Sequence, residues 1–259
     1  MTTEKFKLKE ENAGTGSNEV NTERELEKSS PENKEGDFEW LLQKWPAFND
    51  EAFEEENIDL NGKRKPATPE QKEKMDNDFE KLGKLLEGSD ISWFLGGAAN
   101  ISFAEGEYIG FHKDIDLSVE DGDLEKLEKH LKSKGYGLFI REGDIVGETT
   151  WRRVGAKKVN GDTVICRIDE RGAIDKEDSL SFVDLYPIRR NKQGEAIGHF
   201  DIILPEKWFE PKIIDFKETK LNLSPPARLA YFKLHCERTY DMDDLEKMVK
   251  NNSLSVKDI

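Results

Sequence analysis

The chain is poor in the residues that staple or ligate. It holds two cysteines and four histidines in 259 residues. Cys166 and Cys236 are too few for a disulfide framework, and no histidine stands near them at the spacing of a zinc site. Two reduced thiols are expected. Long apolar runs are also missing: none approaches the roughly 20 residues that cross a bilayer. The opening Met1-Thr-Thr-Glu-Lys-Phe-Lys-Leu-Lys has no apolar stretch of the secretory kind. The expectation is a cytoplasmic protein with no membrane partner. Positive charge is in deficit, 40 Lys+Arg against 55 Asp+Glu, a net charge of -15. That argues against a broad basic footprint for duplex nucleic acid, though not against a local basic groove. Charged residues (37%) outnumber hydrophobic ones (35%), so part of the chain is expected to stay unpacked.

What is present falls into four stretches. Residues 1–36 are rich in Glu, Lys, Asn, Ser and Thr and read as a disordered tail. Residues 37–66 read as a short helix and linker. Phe38, Leu41, Leu42 and Trp45 fall on one helical face, Pro46 ends it, and an acidic loop follows from Asn49 to Asp59. Residues 67–210 carry the main domain and 211–259 a helical C-terminal part.

Thr68-Pro69-Glu70-Gln71 has the form of a capping box with proline at the first helical position. Met75, Phe79, Leu82 and Leu86 continue that helix as one apolar face. A strand at 91–95 runs into Gly96-Gly97, and a short helix is expected from Ala98 to Ala104. A second strand carries Asp114 and Asp116. Asp121 or Asp123 is expected to cap a helix with Leu124, Leu127 and Leu131, ending at Gly135. From 137 to 204 short β-like runs alternate with turns, among them Val164–Ile168, Leu180–Tyr186 and Ala196–Leu204. Asn160-Gly161 reads as a hairpin signal. Helices return after Ser224-Pro225-Pro226 and again from Asp241. The order predicts an α+β domain.

Asp114 and Asp116 stand two apart on a strand, so both carboxylates share a face. Two such groups repel unless a cation lies between them. All-oxygen ligands suit Mg2+, which usually brings substrate phosphates with it. Asp184, mid-strand among apolar neighbours, is a third candidate, since burial there is costly without a purpose. Gly96 and Gly97 permit close approach of backbone to a phosphate. Arg152, Arg153, Lys157 and Lys158 form a basic cluster suited to an anionic acceptor or a solvated edge. His112 reads as a loop-orienting group or a surface imidazole.

Leu95-Gly-Gly-Ala-Ala-Asn100, Lys113-Asp-Ile-Asp-Leu117 and Val183-Asp-Leu-Tyr-Pro187 together resemble the nucleotidyltransferase superfamily of DNA polymerase β type. The chain looks most like bacterial aminoglycoside and lincosamide nucleotidyltransferases and their relatives. Ser224 to Lys233, followed by Arg238-Thr-Tyr-Asp-Met-Asp-Asp-Leu245, is similar to a helix pair seen there. The resemblance spans roughly 68 to 250. Ala98 departs from the serine found in many members, and Tyr240 from a lysine.

The resemblance implies a mixed β-sheet with helices packed on one face and a C-terminal helical part. It implies transfer of a nucleoside monophosphate, AMP from ATP or from another nucleoside triphosphate, to a hydroxyl with release of pyrophosphate. Asp114, Asp116 and Asp184 would hold two Mg2+ ions, Asp184 also acting as base. Gly96, Gly97 and Lys233 would hold the triphosphate. A small antibiotic-like acceptor is expected ahead of tRNA or protein. A nucleotide-binding module without turnover is the alternative class. An Asp-x-Asp phosphohydrolase has the glycines in the wrong order. Oligomeric state is not legible.

Overall fold

The computed structural model describes residues 42–46, 50–145, 148–175, 183–236, 238–251 and 254. The tail at 1–36, Phe38, Leu41 and residues 180–182 of the expected strand lie outside the described residues. In chain order the elements are β1 (Leu42–Pro46), α1 (Asp50–Asn57), α2 (Pro69–Leu86), β2 (Trp93–Leu95), α3 (Ala99–Glu105) and β3 (Ile115–Glu120). Then follow α4 (Leu124–Ser133), β4 (Tyr136–Ile145), β5 (Glu148–Val154), β6 (Thr163–Arg167), β7 (Val183–Ile188), β8 (Lys212–Phe216), β9 (Thr219–Leu223), α5 (Pro226–Cys236) and α6 (Thr239–Lys250).

The strands form one mixed nine-stranded sheet in the order β1-β5-β4-β6-β7-β3-β2-β9-β8. β3 runs parallel to β7 and β2 parallel to β9, and the other pairs are antiparallel. The architecture is the expected α+β class.

Local sequence explains most elements. Thr68 caps α2: its hydroxyl accepts the Gln71 N–H at 3.2 Å, and the Gln71 side-chain oxygen accepts the Thr68 N–H at 2.8 Å. Met75, Phe79, Leu82 and Leu86 then face the sheet, as the periodicity predicts. Leu127 and Leu131 of α4 are fully buried on the same side, each such leucine contributing about 2 kcal/mol by area. Ile115, Leu117 and Val119 of β3 turn into this core. Phe94 of β2 turns the other way, into a second cluster with Leu229 of α5 and Met248 of α6. β2 is thus clamped between two apolar layers, which fixes the loop that follows it.

Several expectations fail locally. The helix expected over 38–45 is a strand at Leu42–Pro46, and a helix stands at Asp50–Asn57 where an acidic loop was expected. An eight-residue helical pattern is marginal alone. The open edge of β5 offers it a backbone ladder instead, with Leu42 paired to Arg152 and Pro46 at the sheet edge. Residues 212–223, expected to be helical, make the β8–β9 hairpin. Its turn lacks glycine and asparagine, with Lys217 itself at φ 47°. Asn160 does make a turn with Thr163. It joins no hairpin, because β4 lies between β5 and β6. Ala196–Leu204 contains only isolated bridges and a short 3-10 turn. Asp123 precedes α4, but its carboxylate accepts from the Ser92 N–H and from Lys126 instead of capping.

Candidate active site

The parallel register of β3 and β7 sets Asp116 directly beside Asp184. Asp114 stands two residues before Asp116, at the entry to β3. A pair two apart along one chain and a third group from a neighbouring strand therefore meet at one end of the sheet. Burial raises the Asp184 carboxyl to about 8, and the charges of Asp114 and Asp116 add to that. Burial and then the charge of Asp116 push Asp114 up to about 6. Asp116 is also raised by burial, against the charges of Arg238 and Lys233 and a hydrogen bond from the Tyr186 hydroxyl. Lys113 Nζ lies 3.9 Å from Asp114 Oδ2.

The glycine pair closes on Asp116. Gly96 donates its N–H to the Asp116 carbonyl at 2.8 Å. A Cβ on Gly97 would stand 1.8 Å from Asp116 Oδ2, and Gly97 has φ +60°. No side chain fits there. This corrects one expectation: the Gly96 N–H belongs to the β-ladder and does not face a phosphate. The loop is tied from behind by buried Asn100. Its amide donates to the carbonyls of Leu95 (2.7 Å) and Gly96 (2.8 Å), and its oxygen accepts the Ser224 N–H at 2.9 Å.

Lys233, which the resemblance implies for the triphosphate, lies in an ion-pair network. It is buried, its Nζ donating to Asp241 at 2.9 Å and Asp244 at 2.6 Å. Asp244 also takes Arg64 at 3.0 and 3.2 Å, and Asp241 takes Arg238 at 2.9 and 3.2 Å. Tyr240 lies in the same network, its ring centre 4.5 Å from the Arg64 guanidinium and 4.9 Å from that of Arg238. The departure at 240 thus supplies a stacking surface for two arginines.

His112 is not a surface imidazole. Its Nε2 is 3.0 Å from the Ser102 hydroxyl, which also accepts the Ile109 N–H. Burial, reinforced by the Arg64 charge, lowers it to about 3, so the ring is neutral. The basic cluster divides. Arg152 pairs with Glu142 on β4. Arg153, Lys157 and Lys158 line a groove of 710 Å³ with Lys129 and Lys132 of α4. Arg153 shares a transverse row with Asp184, through Phe139 and Val164, but four strands from Asp116. The cluster does not join the carboxylates. Neither Cys166 nor Cys236 is in a disulfide.

Sequence reasoning missed Tyr186, Asn100 and Arg238. Tyr186 was legible, since it stands two residues after Asp184 and shares its face. Asn100 reaches the distant Ser224, and Arg238 bears on the distant Asp116, which no local pattern reveals.

Among the described residues no three His, Cys, Asp or Glu side chains converge at metal-holding distance. Mg2+ needs only one or two protein carboxylates, with water and substrate phosphates completing its shell. An all-oxygen set, pushed toward its neutral form by burial and, at Asp114 and Asp184, by neighbouring carboxylates, fits such an ion.

No protein-family model and no curated protein matches the chain. Among solved structures it is similar to the lincosamide antibiotic adenylyltransferase LnuA, lincomycin-bound, at 15% identity, covering 71% of this chain and 98% of that one with a TM-score of 0.44. It is similar to ANT(2'')-Ia in complex with adenylyl-2''-tobramycin, at 12% identity, covering 71% and 91% with a TM-score of 0.41. It is also similar to an antigenic nucleotidyltransferase-like protein from Paracoccidioides brasiliensis, at 11% identity, covering 72% and 78% with a TM-score of 0.40.

Proposed function

We propose that this chain transfers a nucleoside monophosphate from a nucleoside triphosphate, ATP first among the donors, to a hydroxyl acceptor. The observation that carries this reading is the pairing of Asp116 with Asp184 across β3 and β7, with Gly97 closed against the Asp116 carboxylate. Asp114, Asp116 and Asp184 at one end of the sheet, with Lys113 3.9 Å from Asp114, invite divalent metal and the phosphates it carries. Asp114 and Asp116 would hold Mg2+, with Asp184 beside them for a second ion. The metal, when bound, supplies Lewis-acid neutralisation of the triphosphate.

The chain's own residues do the rest. Gly97, having no Cβ, leaves the space that the Asp116 carboxylate itself occupies. Asp184, neutral at pH 7 without metal, would be ionised by a divalent ion beside it and would then take the proton of the acceptor hydroxyl. The acceptor oxygen bonds to the α-phosphorus, the bond to the leaving pyrophosphate breaks, and the proton passes to Asp184. The hydroxyl of Tyr186 donates to Asp116 and favours its ionised, ligating form against the burial that raises it. A small hydroxyl-bearing acceptor accords with the net charge of -15; tRNA and protein are the other candidates.

The test is label transfer from α-phosphate-labelled nucleoside triphosphates with Mg2+. The acceptor panel holds aminoglycosides, lincosamides, bulk tRNA and a protein extract. Label on one acceptor that disappears in Asp116→Ala, with the fold intact by circular dichroism, is the expected result. Undiminished transfer in that variant would sink the reading.

A further inference from the structure

Three cations (Arg64, Lys233 and Arg238) share two carboxylates (Asp241 and Asp244) in one connected network. One positive charge is in excess. It does not reside at Lys233, whose side chain is 4% exposed with a carboxylate on two sides, nor at Arg64, which is 6% exposed. Arg238 is 47% exposed. Its Nε and Nη2 are held by Asp241, and among the described residues its Nη1 takes no partner.

The network borders the carboxylate site. Gly110 opens the loop that leads through His112 and Lys113 to Asp114, and a Cβ there would stand 3.0 Å from Arg64 Cβ. His112, in the same loop, feels the charges of Arg64, Asp244 and Lys233. Asp116 feels Arg238 more strongly than Lys233, and Asp114 feels Arg238 as well. A guanidinium held on one edge by a carboxylate and stacked on an aromatic ring is a rigid fork, matched to phosphate oxygens on its other edge.

We propose that Arg238, and not Lys233, is the side chain that holds the donor's triphosphate, and that Lys233, Asp241 and Tyr240 position it. The proposal rests on the nucleotidyl-transfer reading for the identity of the ligand. Lys233 neutralises Asp241 from behind, Asp241 fixes the guanidinium, and the Tyr240 ring sets its plane.

The experiment is calorimetric titration of the full chain with inorganic tripolyphosphate and Mg2+, alongside thermal denaturation. It uses the wild type, Arg238→Gln, Arg238→Lys and Lys233→Met. Arg238→Gln, which keeps a hydrogen bond to Asp241, is expected to weaken binding about tenfold or more with little change in melting temperature. Arg238→Lys should recover part of the loss. Lys233→Met should melt well below the wild type, because it leaves a buried pair of carboxylates short of a cation. Once an acceptor is known, Arg238→Gln should raise KM for the donor more than it lowers kcat. Equal binding by wild type and Arg238→Gln overturns the proposal and leaves the transfer reading standing. Lys233→Met that folds as stably as wild type yet loses tripolyphosphate overturns it in favour of the lysine. No binding by the wild type overturns both.

Discussion

At Gly97 one hydrogen atom stands where any larger group would strike the Asp116 carboxylate. Gly97→Ala adds a Cβ into that contact and imposes a positive φ on alanine. It is expected to abolish label transfer and to cost more than about 1 kcal/mol in urea denaturation. Transfer within a factor of two of wild type would show the contact to be dispensable. The carboxylates make a second prediction at this scale. Unfolded aspartates titrate near about 3.9, whereas Asp114 is raised to about 6 and Asp184 to about 8. Between those values the folded chain holds protons that the unfolded chain has released. Through these two groups metal-free stability falls as pH rises from about 4 to about 8, opposed below about 6.5 by His112, which is neutral when folded and protonated when unfolded. Melting temperatures across that range in chelator should show the decline. Asp184→Asn should flatten its upper half, and Mg2+ should oppose it by favouring the ionised forms. A flat profile in chelator would mean that the three groups are not mutually repelling.

Elements matter here as carriers of one or two residues each. β3 carries Asp116 on one face and core residues on the other, so burying Leu117 and Val119 aims the carboxylate. β7 carries Asp184 by parallel register. α3 carries Asn100, which ties the β2–α3 loop to the start of α5 through Ser224. Asn100→Ala leaves two carbonyls without their side-chain donor and leaves the Ser224 N–H with the Leu95 carbonyl at 3.1 Å as its acceptor. A loss of about 2–3 kcal/mol is expected in urea unfolding, with transfer reduced alongside. Transfer retained despite that destabilisation would separate the loop's position from the chemistry. At this scale the sequence was partly readable. The capping box at Thr68 and the apolar faces of α2 and α4 were plain, because local hydrogen bonds and period set them. β1 was not, because its partner β5 is far away in sequence, and the β8–β9 hairpin was not, because its turn carries neither glycine nor asparagine.

Over the whole molecule, the Arg64–Asp244 pair joins the segment before α2 to the C-terminal helix α6, 180 residues apart. Asp244 is fully buried. Arg64→Ala leaves it with Lys233 alone and is expected to cost about 3 kcal/mol, read as a lowered midpoint in thermal or urea unfolding. A variant as stable as wild type would show that water replaces the guanidinium. Among the described residues no helix is long and apolar enough to cross a membrane.

The sequence by itself determined the three aspartates, the glycine pair, the alternation that buries one face of β3 and the helices that cover it. Each follows from residue type and short-range period. It also carried the expectation of metal-bound phosphate, because carboxylates two apart on a strand must share a face. Only the tertiary structure told two nearby basic residues apart. Lys233 and Arg238 look alike as sequence, two basic residues on neighbouring helices. Burial between Asp241 and Asp244 binds one of them inward, and exposure leaves the other facing out. That distinction is a matter of solvent and of long-range charge pairing, neither of which is written in local spacing.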